Sequence, residues 1–142
     1  MKMTLLLTVL LLFAFAINGG EIANAQRETR LSSAPKAFQV FYAKFRKAVI
    51  AKDKATVVSM TRFPFNYGYD AGDEGTYSKS QFLRNFDNIF GGAEGIAFFK
   101  RANPTCHVDG GNFDVVDESD ASHHIFEKRG AGYRFTSYIV EP

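Results

Sequence analysis

The sequence contains a single cysteine, Cys106, and no tryptophan among its 142 residues. One cysteine cannot close an internal disulfide, so a small disulfide-linked scaffold is excluded. Stability must come from packing, for which the chain carries 15 phenylalanines. Because no nucleophile motif surrounds Cys106, we expect it to be a small buried hydrophobe.

The sequence also lacks a strong charge of either sign. Its formal net charge is +2, and its basic residues are scattered along the chain. The dense basic stretch "KFRKAVIAKDK" has the pattern of the solvated face of a helix. We therefore do not expect nucleic acid to be a partner.

Motifs for catalysis, metal binding or cofactor binding are missing as well. The glycine pairs at 91–92 and 110–111 are not followed by the lysine and hydroxyl residue of a phosphate loop. The adjacent His123 and His124 point to opposite faces of a strand, so they cannot share a metal ion. The acidic stretch "DAGDEG" at 70–75 lacks EF-hand spacing. No catalytic residue, metal or cofactor is predicted.

The first 25 residues have the pattern of a signal peptide. Lys2 precedes an unbroken apolar run from Leu5 to Ile17, and Ala23-Asn24-Ala25 follows after a polar stretch. The apolar run is too short to span a bilayer, which takes about 20 residues. We predict cleavage near Ala25-Gln26, contact with the membrane only during export, and a periplasmic or secreted protein.

Residues 26–33 are polar and without period, which predicts a flexible lead-in to one domain over 34–142. Apolar residues at helical spacing predict a first helix over 34–51, with Tyr42 on its inner stripe. Asp53 is placed to cap a short second helix. Ser78 and Gln81 form a capping-box pattern for a third helix, which should end at Gly91-Gly92.

At Phe63 the period of the pattern changes from 3.6 to 2, which predicts a strand over 63–69. Pro64 favours an edge position or a strand start. Strands are also predicted at "TCHV", "NFDVV", "HHIFEKR" and "GYRFTSYIV", the last two as a hairpin. We expect the final strand to be central, with Tyr133, Phe135 and Ile139 on one face and Tyr138 and Val140 on the other. The fold class is α+β, with helices on a curved antiparallel sheet.

The phrases "FYAKFRKAVIAKDKATVVSMTRFPF", "SKSQFLRNFDNIF" and "GYRFTSYIV" resemble the nuclear transport factor 2-like superfamily over about residues 34–140. This is the cystatin-like α+β cone shared with ketosteroid isomerase, and the phrases also resemble small exported bacterial proteins of unassigned function within it. The resemblance implies a pocket at the open end of the cone and a homodimer through the open sheet face. The aspartate of ketosteroid isomerase would fall where this chain has Arg62-Phe63-Pro64-Phe65, so that activity is not expected.

Within such a cone, six side chains are candidates to line the pocket: Tyr42, Phe63, Phe65, Tyr67, Tyr69 and His107. For Phe63 and Phe65 a place in the filled core is the favoured interpretation, whereas Tyr67 and Tyr69 suit a rim. We interpret the chain as an exported, non-catalytic domain that binds a small apolar or mixed-polarity ligand or a protein partner. Two alternatives stay open: an enzyme using Tyr42, Tyr67 and His107, and an inhibitor or immunity-type domain using loops such as 70–76.

Overall fold

A computed structural model describes residues 30–69 and 72–142. The predicted signal peptide and the first part of the lead-in therefore lie outside the described residues. The helices are α1 (Lys36–Ile50), α2 (Lys54–Ser59), α3 (Lys79–Arg84), α4 (Phe86–Ile89) and α5 (Gly92–Phe99). The strands are β1 (Thr61–Tyr69), β2 (Asp73–Tyr77), β3 (Thr105–Asp109), β4 (Asn112–Asp117), β5 (Ser122–Arg129) and β6 (Gly132–Val140).

The first two helices form where the sequence predicts them. The apolar stripe of α1 is buried, and Phe38 and Phe45 are fully enclosed. The Asp53 carboxylate caps α2 by accepting hydrogen bonds from the backbone N–H of Thr56 at 3.1 Å and from its hydroxyl at 2.6 Å. Both helices thus follow from local signals, a 3.6-residue apolar period and an acidic cap.

The predicted third helix is divided into α3 and α4. Ser78 and Gln81 form the expected capping box at its start. Asn85 interrupts the helix, since its side-chain amide donates to the carbonyl of Gln81 at 2.9 Å and its backbone is no longer helical. Gly91 then adopts a left-handed conformation and ends α4, as predicted. The stretch from Ala93, where a helical turn and a short strand were both open, is helical in α5.

The six strands form one sheet in the order β2-β1-β6-β5-β4-β3. This confirms the α+β class and the central position of β6. However, β1 pairs with β6 in parallel, so the sheet is mixed and the prediction of an antiparallel sheet was wrong in this pair. The other neighbours are antiparallel. The hairpin from β5 brings β6 back beside β1 in the same direction as β1.

The start of the sheet also differs from the prediction. Asp73–Tyr77 pair with β1 as strand β2, so residues 73–75 of the predicted 70–75 loop are strand and β1 is not an edge. The register between β1 and β6 shifts between Thr61 and Asn66, and Pro64 lies inside this irregular stretch. Proline has no N–H to donate to a regular ladder, so it is tolerated at a place where the pairing is already irregular.

A β-bulge in β6 changes which of its side chains share a face. Ile125 pairs with Ser137 but Phe126 pairs with Phe135, so Thr136 is an extra residue in the ladder. The alternation reverses after it, and Tyr138 joins Phe135 on the inner face, the one against α1. The predicted division of β6 into two faces, which separated these two rings, was therefore wrong.

The core lies between α1 and the inner face of the sheet and consists largely of phenylalanine. The ring of Phe45 meets that of Phe126 edge-on at 5.0 Å, and Phe65 lies 4.8 Å from Phe135. Contacts between aromatic rings stabilise the fold in addition to the stabilisation that comes from burying apolar surface. Cys106 is fully buried as expected, and burial raises the pKa of its thiol to about 12.

The folded domain begins at residues 31–33, within the stretch predicted to be a flexible lead-in. Leu31–Ser33 form a 3-10 turn, Leu31 is buried, and its N–H donates to the carbonyl of Pro104 at 3.0 Å. Residues 31–33 are therefore held by packing and by backbone hydrogen bonds. Within the described residues, no helix has both the length and the apolar character needed to cross a membrane.

Candidate functional site

Four tyrosine rings meet on the inner face where β2, β1 and β6 lie side by side. Tyr67 stacks on Tyr77 with ring centroids 4.1 Å apart, and Tyr69 lies 5.5 Å from Tyr67 and 5.9 Å from Tyr138. We call Tyr67, Tyr69, Tyr77 and Tyr138 the tyrosine cluster. The first three are half-buried, whereas Tyr138 is buried. The cluster therefore presents aromatic faces to solvent at one end of an otherwise closed core.

Strand alternation and one glycine assemble this cluster. Phe65, Tyr67 and Tyr69 alternate on the inner face of β1, as the sequence predicts. Gly75 lies opposite Tyr67, and a Cβ there would be 3.0 Å from the Tyr67 hydroxyl oxygen. The ring of Tyr67 can lean across β2 onto Tyr77 because Gly75 has no side chain.

Three hydroxyl groups of the cluster, those of Tyr67, Tyr69 and Tyr138, have raised pKa values and act as hydrogen-bond donors near neutral pH. Burial is the largest cause that raises the pKa of the Tyr69 hydroxyl, and the hydrogen bond with Tyr77 is the second. The hydroxyl oxygens of Tyr69 and Tyr77 are 3.5 Å apart. Burial likewise raises the pKa of Tyr138. The cluster thus offers neutral polar atoms beside apolar ring faces.

His124 lies next to Tyr138, inside a cage of aromatic rings. Its ring centroid is 5.2 Å from that of Tyr138, 5.3 Å from that of Phe98 and 5.0 Å from that of Phe99. Burial lowers the pKa of His124 to about 4, so the imidazole is neutral at physiological pH. A cavity of about 10 Å³ adjoins it, which is close to the room needed for one water molecule.

On the outer face of the sheet, a second histidine is paired with acids. His123 Nδ1 lies 2.7 Å from Asp114 Oδ2, and His123 Nε2 lies 3.6 Å from Glu141 Oε1. His107 is exposed opposite Asp114 in the β3–β4 register. Among the described residues, no group of three or more His, Cys, Asp and Glu side chains is arranged to hold a metal ion.

The structure separates the six predicted pocket residues into four places. Tyr67 and Tyr69 lie together in the tyrosine cluster. Phe65 and the half-buried Phe63 pack against Phe82 in the core. The remaining two residues are isolated from the cluster: Tyr42 in α1 and His107 on the outer face of β3.

The enzyme alternative required Tyr42, Tyr67 and His107 to act together. Tyr67 is in β1 and His107 in β3, four positions apart in the sheet order, which corresponds to about 19 Å. The two side chains also face opposite sides, since Tyr67 is on the inner face and His107 on the outer. The described structure does not bring these three residues into one site.

Sequence reasoning missed Tyr77, Tyr138 and His124. Tyr77 could have been found, because its spacing after Gly75 continues the alternation of a strand. The position of Tyr138 depends on the bulge at Thr136, for which the sequence carries no clear signal. His124 becomes notable only through its burial among rings.

A groove of about 710 Å³ runs along the outward side of α1. Among the described residues, its walls include apolar side chains from the 3-10 turn, from α1 and from the loop after α5: Leu31, Val40, Ile50 and Ala102. Three basic residues, Lys36, Arg46 and Lys47, also line it. Tyr42 borders the groove from below, and no tyrosine of the cluster takes part in it.

No protein-family model matches the chain, and no curated protein matches it. Among solved structures, it is similar to an NTF2-like protein of unknown function from Cytophaga hutchinsonii, with 10% identity over 76% of this chain and 90% of that one, at a TM-score of 0.45. It is also similar to a putative calcium/calmodulin dependent protein kinase II association domain from Xanthomonas campestris, with 9% identity over 74% of this chain and 86% of that one, at a TM-score of 0.40.

The class of protein defined by the fold is an α+β domain in which helices lie on the inner face of one mixed sheet. Identities and TM-scores this low say nothing about ligand, partner or activity.

Proposed function

We propose that this protein is an exported, non-catalytic binding domain whose ligand site is the tyrosine cluster. The supporting observation is the mutual contact of three half-exposed tyrosine rings at one end of the core. Aromatic surface left in water is unfavourable, and a ligand that covers it removes that cost. The ligand is a small molecule of mixed polarity, with an apolar body for the ring faces and polar atoms for the hydroxyls.

The hydrogen bonds of the cluster support binding without catalysis. In the described part of the chain, the hydroxyls of Tyr67, Tyr69 and Tyr77 have no hydrogen bond to a histidine or a carboxylate. General acid–base catalysis needs such a partner within hydrogen-bond reach of the reacting group. The ring of His124 is enclosed by other aromatic rings. The carboxylate of Asp117 already accepts hydrogen bonds from the N–H and the hydroxyl of Ser119. Neither group is therefore free to act as a base for the cluster.

Export is the second part of the proposal, and it is supported by the sequence of residues 1–25 alone. We expect the protein in its host's envelope to begin at Gln26. Intact-mass measurement of the purified protein tests this directly. A mass that includes residues 1–25 would contradict cleavage at that position.

Ligand binding is tested by native mass spectrometry of the protein purified from its own host. We expect a retained small molecule, and we expect Tyr67→Ala to lose it because the stacked pair with Tyr77 is removed. Thr76→Ala is the matched control, since Thr76 is exposed on the other face of the same two strands. Equal retention in both variants would contradict the tyrosine cluster as the site.

Tyrosine emission provides a second readout. The chain has no tryptophan and six tyrosines, four of which form the cluster, so its fluorescence reports mainly on this site. We expect that the ligand, once released and then added back to the ligand-free wild-type protein, changes its tyrosine emission. Addition of the ligand to Tyr67→Ala should cause a much smaller change.

A further inference from the structure

The groove along α1 combines an apolar floor with charge of one sign. Val40 is 49% exposed and is the most exposed large apolar residue described in the chain. Every charged side chain among the described lining residues is basic, namely Lys36, Arg46 and Lys47. Helix α1 itself contains no acidic residue. The groove is therefore complementary to a molecule that is apolar along its length and anionic at one end.

A buried polar group beside the groove lacks a hydrogen-bond partner within residues 30–69 and 72–142. Tyr42 is 1% exposed, and none of the described residues forms a hydrogen bond with its hydroxyl. Burial raises the pKa of this hydroxyl, and Arg46 is close enough to act in the opposite direction. Unpaired buried polar groups are rare in folded proteins and point to a missing partner. A ligand oxygen that reached Tyr42 past Arg46 would supply that partner.

The dimensions of the groove suit one elongated molecule. It extends along α1 from Lys36 to Ala51, which corresponds to about 22 Å of helix. Its volume lies within the range of about 300–1,000 Å³ that is usual for small-molecule sites.

We propose that the α1 groove binds a single long-chain fatty acid, with the acyl chain on Leu31, Val40 and Ile50 and the carboxylate among Arg46, Lys47 and Tyr42. This site is separate from the tyrosine cluster and does not depend on the function proposed for it. The apolar walls exclude water from the acyl chain, and the basic side chains select the anionic head.

The experiment is a titration of the purified protein with palmitate, kept below its micelle-forming concentration and followed by calorimetry. We expect saturable binding of one palmitate per chain. Lys47→Glu should weaken it by about tenfold, because an attractive charge beside the carboxylate becomes a repulsive one. Lys44→Glu is the matched control, since Lys44 is an exposed residue of the same helix that does not line the groove.

Three further arms separate this proposal from its competitors. Hexadecanol, which has the same chain length without the charge, should bind several-fold more weakly than palmitate. Tyr42→Phe keeps the ring and the fold but should also bind palmitate several-fold more weakly. Tyr67→Ala should leave palmitate binding unchanged, because Tyr67 belongs to the other site.

Several results would overturn the proposal. An equal loss in Lys44→Glu and Lys47→Glu would show general electrostatic attraction to the helix and no groove site. Equal affinity for hexadecanol and palmitate would remove the role of the basic side chains. Binding to vesicles containing anionic phospholipid, with no uptake of palmitate, would make this face a membrane contact.

Discussion

Among single residues, Tyr42 is one whose buried hydroxyl destabilises the fold. In the part of the chain that the structure describes, this hydroxyl is buried without a hydrogen-bond partner, and such a group loses its hydration without gaining a hydrogen bond in the fold. We predict that Tyr42→Phe raises the free energy of unfolding by about 1 kcal/mol. Urea denaturation measures the change.

Tyr133→Phe is the control for this substitution, because the Tyr133 ring is buried but its hydroxyl is not among the unpartnered buried atoms. We expect it to change stability by no more than about 0.5 kcal/mol. A Tyr42→Phe variant that is no more stable than wild type would show that the hydroxyl is satisfied in solution.

His124 makes stability depend on pH. Its pKa falls from 6.5 to about 4 in the folded protein because burial disfavours the charged imidazole. Below pH 6.5 the unfolded chain therefore binds a proton that the folded chain does not. Stability should decrease as the pH falls from about 6.5 to about 4, by about 3 kcal/mol in total.

The groups that face His124 set the size of this effect. The hydrogen bond to the Val115 carbonyl, and then Asp120 and Asp117, favour the charged imidazole and oppose the effect of burial, whereas His123 adds to that effect. Urea denaturation at a series of pH values should show a steeper decrease for wild type than for His124→Gln. Parallel curves for the two proteins would contradict the buried neutral state of His124.

At the scale of elements, the junction between α4 and α5 depends on close backbone approach. A Cβ at Gly95 would lie 1.6 Å from the carbonyl oxygen of Phe90, which backbone movement alone can relieve. Helix α5 carries Phe98 and Phe99, which enclose His124. We predict that Gly95→Ala destabilises the fold by about 3 kcal/mol or more.

Gly111→Ala is the comparison for this change. A Cβ there would meet the Cβ of Lys128 at 3.6 Å, an ordinary contact. Thermal or urea denaturation should show a large loss for Gly95→Ala and a loss below about 1 kcal/mol for Gly111→Ala. Similar losses in both would mean that α5 can move away without cost.

For the whole molecule, the homodimer through the outer sheet face stays a prediction. The outer face carries the half-buried Ile125 and Ile139, which are candidates for such a contact. We expect sedimentation of the purified protein to show a dimer, and Ile139→Glu to shift it to monomer. Val108→Glu is the control, because Val108 is an exposed apolar residue on the opposite face of β3.

A wild-type protein that sediments as a monomer at tens of micromolar would contradict this dimer. So would a dimer that both glutamate variants leave intact, since a buried charge at an apolar interface is costly.

Local elements could be predicted because their signals are carried by neighbouring residues. The stripe of α1, the cap at Asp53 and the capping box at Ser78 each depend on side chains three or four positions apart. The hairpin from β5 to β6 depends on the turn at Gly130. The half-exposed pair of Tyr67 and Tyr69 in the candidate site also followed from alternation alone.

The remaining features depend on residues that are distant in sequence. Strand β2 has little burial of its own and is held by pairing with β1, so its composition resembles that of a loop. The bulge at Thr136 appears only when β5 and β6 are aligned, and it moves Tyr138 into the site. The groove requires Leu31, α1 and Ala102 to come together.

Patterns of consecutive residues were sufficient to predict the α+β class, the long first helix and the inward alternation of the aromatic side chains of β1. Periodicity and capping are properties of consecutive residues, so they can be read without a partner element. Three features became visible only in the folded chain: the parallel β1–β6 pair, the face on which Tyr138 lies, and the lack of a hydrogen-bond partner for the Tyr42 hydroxyl among the described residues. Pairing, register and burial are properties of contacts between distant segments, and such contacts exist only once the chain has folded.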